Sequence, residues 1–137
     1  MPYVKEAKIH QLRTDCQNAI VSGVDIEFAD DSIQHFSMEL TDQIEVQRLV
    51  TEKSFGDSVP YHADDDIFRY YAYEDILKLY SAMNDWKLYN MAYFNDLKRY
   101  VNSMHSMKEI DCVEYGCEIP KEYQSEIYKD IKGKLNL

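Results

Sequence analysis

Apolar side chains recur near the 3.6-residue period over residues 3–22, at Val4, Ala7, Ile9, Leu12, Cys16, Ala19 and Ile20. That spacing predicts an opening helix, with Gly23 well placed just past its end. The period then drops to two. Val24-Asp25-Ile26-Glu27-Phe28 alternates, Ala29-Asp30-Asp31-Ser32 carries turn chemistry, and Phe36, Met38 and Leu40 alternate again. A hairpin with one apolar face follows from this pattern.

Thr41 or Asp42 is the expected cap of a second helix, with capping-box spacing from Asp42 to Glu45. Ile44, Val46, Leu49 and Val50 form its apolar face, and Gly56 is its expected stop. Val59-Pro60-Tyr61-His62-Ala63 and Ile67-Phe68-Arg69-Tyr70-Tyr71 then read as a second hairpin around Asp64-Asp65-Asp66. Pro60 lacks an N–H, which marks its strand as an edge or a strand start.

This hairpin leads into residues 73–104, which hold no Gly or Pro. Ile76, Leu77, Tyr80, Met83, Trp86, Met91, Phe94, Leu97, Val101 and Met104 mark an apolar stripe. A continuous helix of that length would span about 48 Å at 1.5 Å per residue. A single domain of this size has a diameter of roughly 26–30 Å. The expectation is therefore that the helix either breaks near Asn84-Asp85 or projects and packs on a partner chain. Ser106-Met107-Lys108-Glu109 opens a short helix that Gly116 stops, and Pro120 leads a last, mostly polar helix over residues 121–135.

The expected fold class is α+β: two β-hairpins forming a small antiparallel sheet packed against helices, with a long amphipathic helix and a helical C-terminal region. Residues 1–105 form the α+β domain, and residues 106–137 are a helical extension of it. A chain of 137 residues can bury a core without a disulfide or structural metal.

Charge changes the range of partners. With 25 acidic and 15 basic residues the net charge is −10, which disfavours nucleic acid and anionic membrane surfaces; keeping the chain in solution is its main reading, and attraction to a basic protein surface is the alternative. No apolar run reaches the roughly 18–20 residues of a transmembrane helix. Cys16, Cys112 and Cys117 are odd in number and lack CxxC spacing, so reduced thiols are expected.

Candidate chemistry is sparse. His35 and His62 occupy similar places in the two hairpins and could join an aspartate around a metal. One His per strand lacks the tight local spacing of a zinc motif, so hydrogen-bonded strand histidines are the favoured reading. Asp64-Asp65-Asp66 offers oxygen ligands for Ca²⁺ but lacks EF-hand spacing, and a solvated turn explains it. No GxSxG, Walker loop, GxGxxG or HExxH occurs, so no catalytic, cofactor-binding or metal residue is assigned. Tyrosine is the stronger signal. There are twelve, and Tyr73, Tyr80, Tyr89, Tyr93 and Tyr100 lie on the long helix, where they are candidates for a protein-interaction surface. A tyrosine-rich core margin and a sugar-stacking face are the alternatives.

The motifs Lys8-Ile9, Cys16, Ile20, Gly23-Val24, His35-Phe36-Ser37, Thr41-Asp42-Gln43-Ile44 and Tyr61-His62-Ala63-Asp64 run through most of the chain. Tyr93-Phe94-Asn95 with Leu97, Glu114-Tyr115-Gly116 and Ile119-Pro120-Lys121-Glu122-Tyr123 extend them to the C-terminal region. Together they resemble a family of small phage and prophage tail-module proteins, similar to a domain of unknown function in tail-fibre and tail-assembly proteins. The resemblance implies a non-enzymatic structural component or assembly accessory. Its partners would be phage structural proteins or a second copy of the chain, and its location the bacterial host cytoplasm or the virion. It carries no catalytic residues. A small acidic regulatory or counter-defence protein and a metal-dependent enzyme using His35 and His62 are the alternative functions.

Overall fold

The computed structural model describes residues 2–52 and 56–137. Its element order is α1 (Pro2–Val21), β1 (Val24–Glu27), β2 (Ile33–Phe36), α2 (Leu40–Glu52), β3 (Ser58–His62), β4 (Phe68–Ala72), α3 (Tyr73–Asn102), α4 (Met107–Asp111), a 3-10 turn (Lys121–Tyr123) and α5 (Glu126–Lys134). The fold is α+β, as the periodicity predicts. No helix among the described residues is long and apolar enough to cross a membrane.

The packing divides into two units, residues 20–86 and residues 1–19 with 87–137. In residues 20–86 the core gathers Ile26, Phe36, Met38, Val46, Leu49, Val59, Tyr61, Tyr71, Ile76, Leu79 and Met83. Strand β1 pairs antiparallel with β2, bringing Val24 opposite Phe36. Strand β3 pairs antiparallel with β4, bringing Val59 opposite Tyr71. The hairpins remain two separate two-stranded sheets rather than one. Asp64, just past β3, joins them instead. Its N–H donates to the His35 carbonyl at 3.0 Å, and its Oδ1 accepts from the Ser37 N–H and hydroxyl at 2.9 and 2.8 Å. One main-chain bond and one bridging carboxylate thus take the place of a ladder.

The turns form where Asp and Ser offer local acceptors and donors. Asp30 Oδ1 accepts from the Ser32 N–H and hydroxyl, and Asp65 Oδ1 accepts from the Ile67 N–H. Asp31 and Asp66 take positive φ, at 66° and 60°. Gly23 leaves α1 at φ +87°, and a Cβ there would lie 2.0 Å from the Phe36 carbonyl oxygen. Only glycine lets the two segments approach so closely.

Several boundaries differ from the expectation. Strand β2 ends at Phe36, so Met38 is buried from outside a strand. Helix α2 starts at Leu40 because Asp42 turns back to accept from the Glu39 N–H at 3.0 Å, one half of a capping box. Helix α2 is described as far as Glu52; the expected stop at Gly56 depends on residues 53–55, which lie outside the described residues. The predicted helix over residues 121–135 is a 3-10 turn followed by α5, restarted at Ser125, whose hydroxyl accepts from the Tyr128 N–H.

Helix α3 is continuous through Asn84 and Asp85, so of the two alternatives the break does not occur. The length argument assumed a single core. Instead, Ile76, Leu79 and Met83 serve the core of residues 20–86, while Tyr93, Leu97 and Val101 serve a second core with Leu12, Met104, Ile110, Val113, Ile119 and Tyr128. Buried residues therefore accompany α3 along its length, and no partner chain is needed to explain it.

Candidate contact surface and acidic pocket

The five tyrosines expected at an interaction surface are largely spent on internal packing. Tyr93 is 4% exposed. Its hydroxyl donates to the Cys117 carbonyl and accepts from the Gly116 N–H at 3.0 Å, and burial raises its pKa. Its ring meets Tyr115 edge-on at 5.0 Å. Tyr89 stacks on Tyr93 and Tyr128. Tyr100 leans on Tyr123 at 5.3 Å. The Tyr73 hydroxyl donates to the Val50 carbonyl at 3.0 Å, and Tyr80 is half-buried. Of the readings open for these residues, the tyrosine-rich core margin describes them best. Tyr93 in particular is packed inside its own unit.

The exposed aromatic face lies elsewhere, on β4. Phe68 and Tyr70 are 70% and 76% exposed, while Tyr71 beside them points into the core. Alternation along the strand produces this split. Across the hairpin, Phe68 sits opposite His62 and Tyr70 opposite Pro60, and the Phe68 and His62 ring centroids are 5.0 Å apart. Ile67 adds a further exposed apolar side chain at the strand entry. Sequence reasoning counted Tyr70 in the tyrosine cluster but singled out no residue of this face, because four of the five residues from Ile67 to Tyr71 are apolar.

Beside it is a pocket of about 410 Å³, lined by Ser37, Asp42, Tyr61, His62, Asp64 and Asp66. It contains three carboxylates and no lysine or arginine. Tyr61 is 3% exposed, stacked on Phe36 at 6.1 Å, and its hydroxyl makes no hydrogen bond among the described residues. Burial raises the Tyr61 pKa, and the nearby charges of Asp42, Glu45 and Asp64 raise it further. The phenol therefore sits in a strongly negative field with an unused polar atom. Arg48 and Arg69 do not relieve that field, being paired with Glu45 and Glu52 and with Asp65.

His35 and His62 are not brought to a common point. The His35 Nδ1 faces Asp25 Oδ1 at 2.7 Å and its Nε2 faces the Ser22 carbonyl. Both partners are acceptors, so the ring satisfies both only as the doubly protonated imidazolium. The Asp25 hydrogen bond raises the His35 pKa most; Ser22 and Asp64 add to it, and partial burial opposes it. The His62 Nδ1 lies 3.0 Å from the Ala63 carbonyl. Among the described residues no group of three or more His, Cys, Asp or Glu could hold a metal ion.

In the other unit, a cleft of about 720 Å³ is lined by Tyr100, Ser103, Lys108, Glu109, Cys112 and Cys117 among others. The three cysteines are free thiols, with Cys16 buried and Cys112 exposed. Burial raises the Cys16 pKa, and its thiol donates to the Asn90 carbonyl at 3.4 Å.

No family model, curated protein or solved structure matches the chain.

Proposed function

We propose that this chain is a non-enzymatic protein of a phage or prophage tail module, a structural component or an assembly accessory, that acts through protein contacts. The outward pair Phe68 and Tyr70 carries the contact reading. Large aromatic side chains left in water on a strand whose other face is packed are the residues that anchor protein interfaces. Among the described residues each strand of this sheet pairs on one side only, and the other edge, interrupted on β3 by Pro60, offers main-chain groups to another chain. The tail-module setting is supported by the motif resemblance alone. The expected partners are phage structural proteins or a second copy of the chain.

The test replaces Phe68 and Tyr70 together by serine. Association with itself or with tail proteins should fall sharply while the fold is kept, read by sedimentation and by capture from infected or induced cells. Unchanged association removes the contact reading. Mass spectrometry of purified virions separates a structural component from an accessory.

The acidic pocket favours a second reading, a small regulatory or counter-defence protein that blocks a basic host protein. That reading predicts capture of a nucleic-acid-binding host protein, weakened by salt.

A further inference from the structure

We propose that the pocket formed by Ser37, Asp42, Tyr61, His62, Asp64 and Asp66 receives the guanidinium of an arginine side chain from a partner protein. The inference rests on the contact reading of the same hairpin and names the chemistry that the hairpin recognises.

Two independent observations point to a ligand. The first is the lining, three carboxylates with no lysine or arginine among them, where Asp64 alone faces a cation of the chain, His35 at 3.6 Å. The second is Tyr61. Its ring is 3% exposed and fixed against Phe36, yet its hydroxyl reaches the pocket without a hydrogen-bond partner among the described residues. The ring is buried while the hydroxyl stays accessible at the pocket, a fixed donor and acceptor that an incoming polar group can meet.

The remaining acceptors are the oxygens not used by the fold. Asp42 spends Oδ2 on the Glu39 N–H, and Asp64 spends Oδ1 on Ser37, with its Oδ2 3.6 Å from His35 Nε2. Asp42 Oδ1, the Asp66 carboxylate and the Tyr61 hydroxyl stay open to an incoming donor. A guanidinium presents five donors in a planar fork and suits several such acceptors at once, whereas an ammonium is a compact point charge. The aromatic surroundings favour the planar cation as well. Tyr61, His62 and Phe68 follow one another with ring centroids 4.9 and 5.0 Å apart, offering faces on which a guanidinium stacks. A divalent metal fits less well, since the carboxylates do not gather as a ligand set.

The experiment titrates the labelled full chain with blocked Gly-Arg-Gly peptide and follows backbone amide shifts by NMR. Peptides with lysine or with citrulline in place of arginine, free arginine amide and Ca²⁺ serve as the other probes. The arginine peptide should move the amides of residues 61–66 at millimolar concentration or below. The citrulline peptide, which lacks the charge, should bind about tenfold more weakly or worse, and lysine more weakly than arginine. Free arginine amide binding as tightly as the peptide would assign the pocket to a small molecule and overturn the partner-protein reading. Tyr61→Phe should keep the thermal midpoint and weaken arginine binding severalfold, because its hydroxyl supports nothing in the free fold. Asp66→Asn, which tolerates the same positive φ, should weaken it too. Equal binding of arginine and lysine, tighter binding of Ca²⁺, shifts scattered over the whole acidic surface, or no local shift overturns the proposal. If arginine fails here while Phe68 and Tyr70 are still required for association, the pocket assignment is wrong and the contact reading stands. If arginine binds but those two side chains are dispensable, the contact reading fails by itself.

Discussion

Asp96 holds the start of a helix that lies 29 residues further along the chain. Its Oδ2 accepts from the Ser125 N–H at 2.8 Å, and Ser125 is the N-cap of α5. In a capping box the third helical residue supplies that acceptor. Here Tyr128 occupies that place and cannot, so a buried aspartate on α3 does it. Asp96 is fully buried, and its Oδ1 has no hydrogen-bond partner among the described residues, with Arg99 Nη1 3.6 Å away. Asp96→Ala should cost about 1–3 kcal/mol, because it strands the Ser125 N–H. Asp96→Asn keeps one acceptor oxygen and should cost less. Urea unfolding measures both, and faster hydrogen exchange of the α5 amides in Asp96→Ala would localise the loss. Equal stability of Asp96→Ala and the parent would show that α5 starts without it.

His35 makes stability depend on pH with a definite sign. Its folded pKa is raised, chiefly by the Asp25 hydrogen bond. The unfolded ring titrates near 6.5. The stabilisation is therefore complete below about pH 6.5 and is lost as pH rises through the raised folded value. The ring is 41% exposed, so solvent screening keeps the effect small. The groups around it are Asp25, Asp64 and the Ser22 carbonyl. The thermal midpoint should fall between mildly acidic and mildly alkaline pH in the parent, and His35→Gln should flatten that decline. A parallel decline in both proteins would assign it to other groups.

Much of the fold was legible from spacing because each element needs only local information. The switch from period 3.6 to period 2 located α1, β1 and both turns, and Gly23 was readable as a helix stop. What spacing could not supply was which side of an element faces inward. Tyr93 and Tyr100, seven apart, share a helical face, but a ring with an apolar body and a polar tip suits a core margin as well as an interface. Only the Cys117 carbonyl and the Gly116 N–H, more than twenty residues away, decide that Tyr93 is interior. The same holds for Asp96, whose partner is Ser125. Phe68 and Tyr70 were hidden by the opposite problem, a strand apolar on both faces. The acidic pocket is not visible locally either, since Asp42 reaches it from α2 while Asp64 and Asp66 come from the β3–β4 turn.

Gly23→Ala should be among the costliest single-methyl additions in the chain. The added Cβ would lie 2.0 Å from the Phe36 carbonyl oxygen, and the backbone is at φ +87°. Strain of this kind costs on the order of 1–3 kcal/mol before the clash is counted. Gly116 provides the control, having φ +101° but open space where a Cβ would sit. Gly116→Ala should therefore lose only the conformational part. Chemical denaturation of the two variants side by side reads the difference, and equal losses would mean that the Phe36 strand moves aside freely.

Tyr93 distinguishes a packing role from a binding role most directly. Tyr93→Phe keeps the ring against Tyr89, Tyr115 and Tyr128 but removes the hydroxyl that serves the Cys117 carbonyl and the Gly116 N–H. It should cost about 1–3 kcal/mol, the penalty for stranding a buried donor or acceptor. Tyr93→Ala also opens a cavity and should cost about 3–5 kcal/mol. Neither change should alter association at concentrations and temperatures where the variant stays folded, because the side chain is inside. Urea unfolding with sedimentation at the same temperature separates the two properties. A variant that keeps its stability yet loses a partner would return Tyr93 to the surface of the protein and undo the assignment of this ring to the core.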